Sequence, residues 1–541
     1  MITRRSFLAS LGVVSAGVLG GAGLAGCGST ADSNDATNQV IIAMNTGSEP
    51  AAGFDPCVAW GCGEHVHEPL IQSTLITTDL NLEFQGDLAT EYSCSSDGMT
   101  WSFTLRDDAV FSDGKPLTAA DVAFTINTVI NSEQSEADLS MVKKAEVLDS
   151  THVNLLMEKP DNALLYTLAV LGIVPEHAYG SSYGANPIGS GRYVLEQWDQ
   201  GQQAIFAANP DYYGEAPKMQ RVVVVFMEED AALAAAQAGE VDIAFTSATL
   251  SGSVPEGYEL FTCKSVDSRG ISLPVLPEGS EERRGMDGAK HPVGNNVTSD
   301  IAIRRAMNYG VDREAMIRNV LNGYGTEAYS VGDGMPWSSD DMKVTTDVSK
   351  AKSILADAGW KAAADGILEK DGLRAEVELL YSSGDSVRQA LSYEFANQMK
   401  ELGILVNVKG GDWDTDLYPA QFSTPILWGW GSNSPVELYE LTYSTGWGNV
   451  AAYDSKDVDK ALDQALAATT VEESYRYYKQ AQWNAETETG IAPQGASTWV
   501  WLANVDHLYF KKPSLQVAEQ KPHPHGHGWS LANNVDQWQW S

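Results

Sequence analysis

The side chains of this 541-residue chain best suited to chemistry gather near its C-terminus. The run Pro522-His-Pro-His-Gly-His-Gly-Trp529 sets three of the nine histidines, His523, His525 and His527, at alternate positions. Extended backbone turns alternate residues to one face, so three neutral imidazoles there form a grip suited to nickel, copper or zinc. Pro524 and Gly526 can instead bend the chain and point the rings apart, leaving loop histidines bonded to backbone or solvent. His65 and His67 repeat the spacing beside Trp60, an aromatic candidate for ligand contact. Arg269 follows Ser265-Val-Asp-Ser, and its guanidinium fork matches a carboxylate; Arg192 offers the same chemistry. The competing role for either arginine is a structural ion pair.

Other chemistry is missing from the pattern. No GxSxG elbow, HExxH, Walker A or strand-following GxGxxG is present, and no spacing singles out two carboxylates for acid–base work. Binding without catalysis, and without a required cofactor, is the expectation. The cysteines after Cys27 are Cys57, Cys62, Cys94 and Cys263, and no CxxC marks a redox or zinc centre. Four thiols allow three pairings, which the sequence leaves open.

The N-terminus dictates location. Arg4 and Arg5 precede an uncharged Leu/Val/Ala/Gly run that closes on Leu24-Ala-Gly-Cys27. A cationic start, an apolar stretch and small residues before a cysteine describe an export signal with a lipobox, residues 1–27, in which the Cys27 thiol takes the lipid. A transmembrane anchor is the alternative, though the run is weakly apolar. The twin arginines with Phe7 and Leu8 are similar to a Tat signal. Residues 28–38 are Ser, Thr, Asp, Asn and Ala, a solvated tether between lipid and body. The protein is therefore expected outside the cytoplasm, lipid-anchored to the cell membrane.

The body has room for roughly three units of about 150 residues. Its hydrophobic content of 43% with 15 Trp and 21 Tyr supports large cores, and no second apolar span is evident. A formal charge of −37 repels phosphate backbones, which excludes nucleic acid as a partner. Alternation in Thr100-Trp-Ser-Phe-Thr-Leu-Arg106 predicts a half-buried strand. Gly114 and Pro116 predict a turn, and Thr118-Ala-Ala-Asp121 caps a helix with Val122, Phe124, Ile126 and Val129 on its apolar face. Helices are also predicted at Thr298–Tyr309, Ala231–Gly239, Ser349–Ala358, Ser386–Leu402 and Val458–Ala468, with a buried strand at Val241–Phe245. Residues 279–296 read as an exposed insert. Strands and helices interleave throughout, an α/β chain.

Several ordered blocks then become recognisable. Asp87-Leu-Ala-Thr, Ser96-Asp-Gly-Met-Thr-Trp-Ser-Phe103, Leu105 to Gly114 and Pro116-Leu-Thr-Ala-Ala-Asp-Val122 are followed by Asn186-Pro-Ile-Gly-Ser-Gly191, Asn209-Pro-Asp-Tyr-Tyr213 and Ile303 to Arg313. This series resembles the family 5 extracellular solute-binding proteins, receptors of peptide and nickel ABC importers. The resemblance implies a two-lobed periplasmic-binding-protein fold of type II, in the large cluster with an extra subdomain. Lobe I would comprise 39–270 with 501–541, the subdomain about 56–186, and lobe II 271–500. It further implies a monomer that captures a small solute, a di- or oligopeptide, by interlobe closure and passes it to a permease with its ATPase subunits. A nickel or metal-chelate receptor is the rival within the family, and a surface sensor or adhesin the reading of another class.

The segment Pro425-Ile-Leu-Trp-Gly-Trp-Gly-Ser-Asn-Ser-Pro435 is similar to the family strand that delivers a Trp and then an acidic residue to the cleft. Trp428, Trp430 and Asn433 are thus implied ligand contacts, one tryptophan being open to a core role. Asn433 stands where peptide receptors carry an Asp for the ligand's amine, and Arg192 stands where the family usually has Pro.

Overall fold

The computed structural model describes residues 38–541 apart from 59–60, 63–64, 133 and 527, and the side chains of 61–62 and 65–66 are also outside it. The segment expected as a signal, Cys27 and the expected tether up to residue 37 lie outside the described residues, as do Trp60, His527 and the side chains of Cys62 and His65.

Two large sheets organise the chain. The first has seven strands in the order Tyr193–Asp199, Gln203–Ala208, Arg221–Phe226, Gln39–Met44, Ile243–Thr246, His507–Lys511, Glu259–Cys263. Gln39–Met44 runs parallel to both of its neighbours, and its buried Val40, Ile42 and Met44 enter a core closed by Trp529 and Trp538 from the C-terminus. The second has six strands in the order Gly325–Glu327, Trp499–Val505, Ser268–Ser272, Ile426–Trp430, Glu376–Ser382, Leu405–Gly411. The chain passes from the first sheet to the second between Cys263 and Ser268, and returns between Val505 and His507.

A separate four-stranded antiparallel sheet, Ala89–Cys94, Thr100–Leu105, His152–Met157, Val142–Val147, is covered by helix Ala119–Ile130. Trp101, Phe103 and Leu105 are buried while Ser102 is exposed, the alternation that a half-covered sheet imposes. The helix starts as its sequence requires: Asp121 Oδ2 accepts from the Thr118 backbone N–H at 2.9 Å, satisfying a donor that helix geometry leaves open. Asp300 likewise caps Ile301–Gly310 by accepting from the Ala302 N–H at 2.9 Å. The other expected helices form at Glu229–Gln237, Val348–Asp357, Ser386–Glu401 and Lys456–Leu466.

Residues 279–296 are mostly exposed, as expected, but they are not unstructured. They form the hairpin Glu281–Arg284 with Lys290–Val293, which buries His291 and Val293 and pins the Met286 N–H on Gln421. Cys57, Cys94 and Cys263 carry free thiols. Among the described residues no helix is long and apolar enough to cross a membrane.

Candidate functional site

Strand Ile426–Trp430 lies in the middle of the six-stranded sheet, paired with Ser268–Ser272. Its alternation puts Trp428 and Trp430 on one face, ring centroids 5.8 Å apart. Gly429 faces the other way. A Cβ there would come within 2.6 Å of Arg388 Nη2 and 2.7 Å of both Arg269 Nη1 and His525 Cε1. The missing side chain thus lets two guanidiniums and an imidazole converge on the strand.

Among the described residues two cavities flank this region. The first, about 250 Å³, is bounded by residues 67–78, 136–138 and 166–171 on one side and 430–447 on the other, with His525, Ser530 and Asn533 from the C-terminal segment. Its walls are aromatic, from Tyr166, Trp430 and Trp447, and acidic, from Glu68, Glu136, Asp138, Glu437 and Glu440; among the described residues no Lys or Arg lines it. Trp447 stands edge-on to Trp430 at 5.8 Å and is 42% exposed at the mouth. Glu68 is neutralised by Lys521 at 2.7 Å. Burial, reinforced by the nearby Asp138, pushes the Glu440 carboxyl up to about 7. Asp161, on a neighbouring hollow shared with Asp138 and Glu440, is raised to about 6 by burial and Asp138. An ammonium group entering here would relieve that crowding.

The second cavity, about 380 Å³, lies between residues 45–47, 228–229, 245–248 and 505–509 on one side and Arg269, Leu321 and 382–387 on the other. Hydroxyls cross it: Ser386 Oγ lies 2.8 Å from Thr249 Oγ1 and donates to Glu229 Oε2 at 3.2 Å. Between the two cavities stands Asp267, buried, its Oδ1 accepting from His525 Nδ1 at 2.7 Å and from Arg269, its Oδ2 accepting from His507 Nε2 at 3.0 Å. Burial works against this carboxylate's charge, but Arg269 and the two histidines hold Asp267 well below the usual range. His525 is pulled down to about 4 by burial, despite Asp267, so it is a neutral N–H donor at physiological pH. Arg388 sits beside this group, its Nε 3.3 Å from Asp385 and its guanidinium 5.6 Å from the Trp413 ring.

The expected residues divide accordingly. Trp430, Asn433 and His525 line the first cavity, Arg269 lines the second, and His67 reaches the same centre, since a Cβ on Gly526 would lie 2.4 Å from His67 Cε1. Asn433 Nδ2 donates to Pro522 O at 3.0 Å, tying the strand's exit loop to the C-terminal run. Trp428 belongs to the core, its Nε1 donating to Ser272 Oγ at 3.0 Å and its ring against Trp413. Arg192 lies in neither cavity: its guanidinium donates to Asn533 O at 2.6 Å and pairs with Asp536, clamping the C-terminus.

The histidines do not converge on one point. His523 meets His507, Nδ1 to Nδ1 at 3.1 Å, while His525 meets Asp267, because Pro524 turns the backbone between them. Among the described residues no group of three or more His, Cys, Asp or Glu is placed to hold a metal ion. Sequence reasoning missed Glu440, Asp138, Asp267 and Arg388. Gly429 between two tryptophans was the available signal for a crowded strand face, whereas nothing local marks Asp267.

Two sheet-based lobes enclosing an aromatic, polar cleft define a solute-binding protein of the type II periplasmic-binding fold. The chain belongs to the bacterial extracellular solute-binding proteins of family 5, whose middle-region model matches residues 83–451. These are the extracytoplasmic substrate-binding components of ABC importers, working with a permease and its ATPase. Among its relatives, protein XP55 of Streptomyces lividans is 33% identical over 459 residues, 80% of this chain and 79% of that protein. The oligopeptide-binding protein AppA of Bacillus subtilis is 26% identical, covering 76% of this chain and 78% of its own length. The crystal structure of NikZ from Campylobacter jejuni with Ni(L-His) superposes at a TM-score of 0.77, 26% identical over 93% of this chain and 99% of that one.

Proposed function

We propose that this protein captures a small peptide bearing one or more ammonium groups in the first cavity and delivers it to an ABC permease, while held at the membrane by a lipid on Cys27. The seven-stranded sheet with its C-terminal segment and the six-stranded sheet with its helices act as the two closing lobes. The observation that carries the ligand class is the wall chemistry: five carboxylates and three aromatic rings, with no Lys or Arg among the described lining residues. A buried ammonium needs a charge partner, and Glu440 with Asp138 supplies one that is otherwise held partly protonated. Asn433 is then no obstacle to binding an amine, because the carboxylates come from helix Val436–Thr442 and the facing subdomain instead. The volume lies near or below the ~300–1000 Å³ usual for ligand pockets, which favours a dipeptide over a long chain.

A metal chelate is the second reading, supported by the presence of His67 and His525 in the wall of the first cavity and by the nickel–histidine ligand of the NikZ structure. A chelate brings most of its own donors, so it does not need a three-residue protein site. Titration calorimetry of chelator-free protein with lysyl-alanine, dialanine, and nickel plus histidine separates the readings. Binding of lysyl-alanine in preference to dialanine is expected; heat only from nickel plus histidine would replace the peptide reading. Lysyl-alanine uptake lost with the gene for this chain would distinguish the importer from a sensor or adhesin.

A further inference from the structure

Asp267 lies on the first crossover between the two sheets, and every other pass of chain through that region touches it or its neighbours. Its carbonyl accepts from the N–H of Val505, the last residue before the return crossover, at 2.8 Å. Its Oδ2 holds His507, the first residue after that crossover. The C-terminal segment lies along the same stretch, with Val266 N–H donating to His523 O and His523 N–H to Lys264 O, both at 2.9 Å. The two carboxylate oxygens divide their work: Oδ1 holds His525 at the first cavity and Arg269 at the second, and Oδ2 holds the hinge.

We propose that Asp267 is the positioning residue that couples the cleft to the hinge: closure aligns His525, Arg269 and His507 on one carboxylate, and opening must part His507, the member on the seven-stranded sheet, from it. A neutral imidazole has a single N–H, so both histidines are committed by this carboxylate to fixed tautomers, His525 to Nδ1–H and His507 to Nε2–H. Arg269 compensates its charge, with Arg388 and Asp385 behind it; His523 stands behind His507 and His67 behind His523. Losing the carboxylate therefore leaves two buried guanidiniums, Arg269 and Arg388, sharing Asp385 alone, and favours the open state, where water reaches them.

The affinity arm of the test rests on reading the cleft as the ligand site; the hinge arm does not. The exported chain and its Asp267→Asn variant are compared by small-angle scattering with and without lysyl-alanine, by titration with that peptide, and by nitrogen-15 NMR of the histidine rings. The ligand-free wild type should already populate the closed form in part and show the Nδ1–H form of His525, and it should close further on the peptide. The variant should be more expanded without ligand, lose that tautomer signature and bind about tenfold or more weakly. Equal radii of gyration, an unchanged His525 tautomer and affinity within about twofold would overturn the coupling. Should the wild type ignore the peptide, the ligand reading fails alone, and the ligand-free radius and tautomer still decide on Asp267. If Asp267→Asn does not fold, His507→Gln, which leaves the Arg269 pair intact, should expand the ligand-free protein while preserving the His525 tautomer; unchanged dimensions would refute the coupling.

Discussion

The two cavities share a wall, the His525–Asp267 pair, but handle charge in opposite ways. In the second cavity three acids have a cationic partner at hand, Asp267 with Arg269, Asp385 with Arg388 and Asp506 with Lys264 at 2.8 Å, while Glu228 accepts from Thr46 Oγ1 at 2.7 Å and Glu229 from Ser386 Oγ at 3.2 Å. In the first, Lys521 answers Glu68, while Asp138 crowds Glu440. Compensated charge suits a surface that must come together in every closure, whatever is bound. Crowded acid suits a surface completed by a cation from outside. On the proposed function, selectivity falls to the first cavity and closure to the second.

The strongest test of that division is Asp138→Asn combined with Glu440→Gln. Removing the charge partners of a desolvated ammonium costs about 2–5 kcal/mol, so lysyl-alanine affinity should fall by roughly two orders of magnitude or more in calorimetry. The dimensions of the ligand-free protein should not change. A loss of closure in that variant would transfer the mechanical role from the second cavity to the first.

A second effect, of about tenfold over the accessible range, comes from pH. The folded, ligand-free Glu440 carboxyl titrates near 7, above its ordinary 4.5, so the folded state binds the extra proton. Stability of the ligand-free protein should therefore fall as pH rises from about 4.5 to about 7. Affinity for a cationic ligand should rise over the upper part of that window, because the ligand selects the ionised form, and then level off. Binding below pH 7 should release a proton, visible as a dependence of the measured heat on buffer ionisation. Glu440→Gln should diminish the release and reduce the slope of both profiles, with Asp161, raised to about 6, accounting for part of what remains.

Trp447→Ala sharpens the same comparison at smaller scale. Its ring is exposed at the mouth and meets Trp430 edge-on, so truncation should cost about 1 kcal/mol of peptide affinity, roughly fivefold, with a melting temperature close to that of the parent. Equal loss for a ligand without ammonium groups is expected, since the ring supplies contact area and not charge selection.

What the chain discloses before folding follows the range of the interactions involved. Trp101, Phe103 and Leu105, or Thr118 with Asp121, are set by contacts within a few residues, and the sequence states them directly. Asp267 and His525 are 258 positions apart, and His67 meets Gly526 from the far end of the chain. Such contacts exist only once two crossovers and a C-terminal return have been threaded. Arg192 misled for a related reason: a guanidinium suits a ligand carboxylate and a structural one equally, and Asp536 arrives from 344 residues away. The tryptophan pair is equally buried in one core cluster and differs only in that Trp430 also borders the first cavity, which strand alternation alone cannot distinguish because both share a face.

Ser386→Ala tests the closing surface with the least disturbance. The hydroxyl sits at the start of helix Ser386–Glu401 and meets Thr249, in the loop after strand Ile243–Thr246, and Glu229, at the start of helix Glu229–Gln237, while Asp385, the helix cap, remains in place to accept from the Arg388 N–H. Losing a hydrogen bond across the cleft weakens the closed state by about 0.5–1.5 kcal/mol without touching the first cavity. Affinity should drop by roughly two- to tenfold for every ligand that closes the lobes, cationic or not, because the open–closed equilibrium is common to all of them. The faster dissociation would be seen in stopped-flow tryptophan fluorescence, with association little changed. A drop confined to cationic peptides would instead mean that Ser386 and Glu229 contact the ligand, and that the second cavity is part of the recognition site.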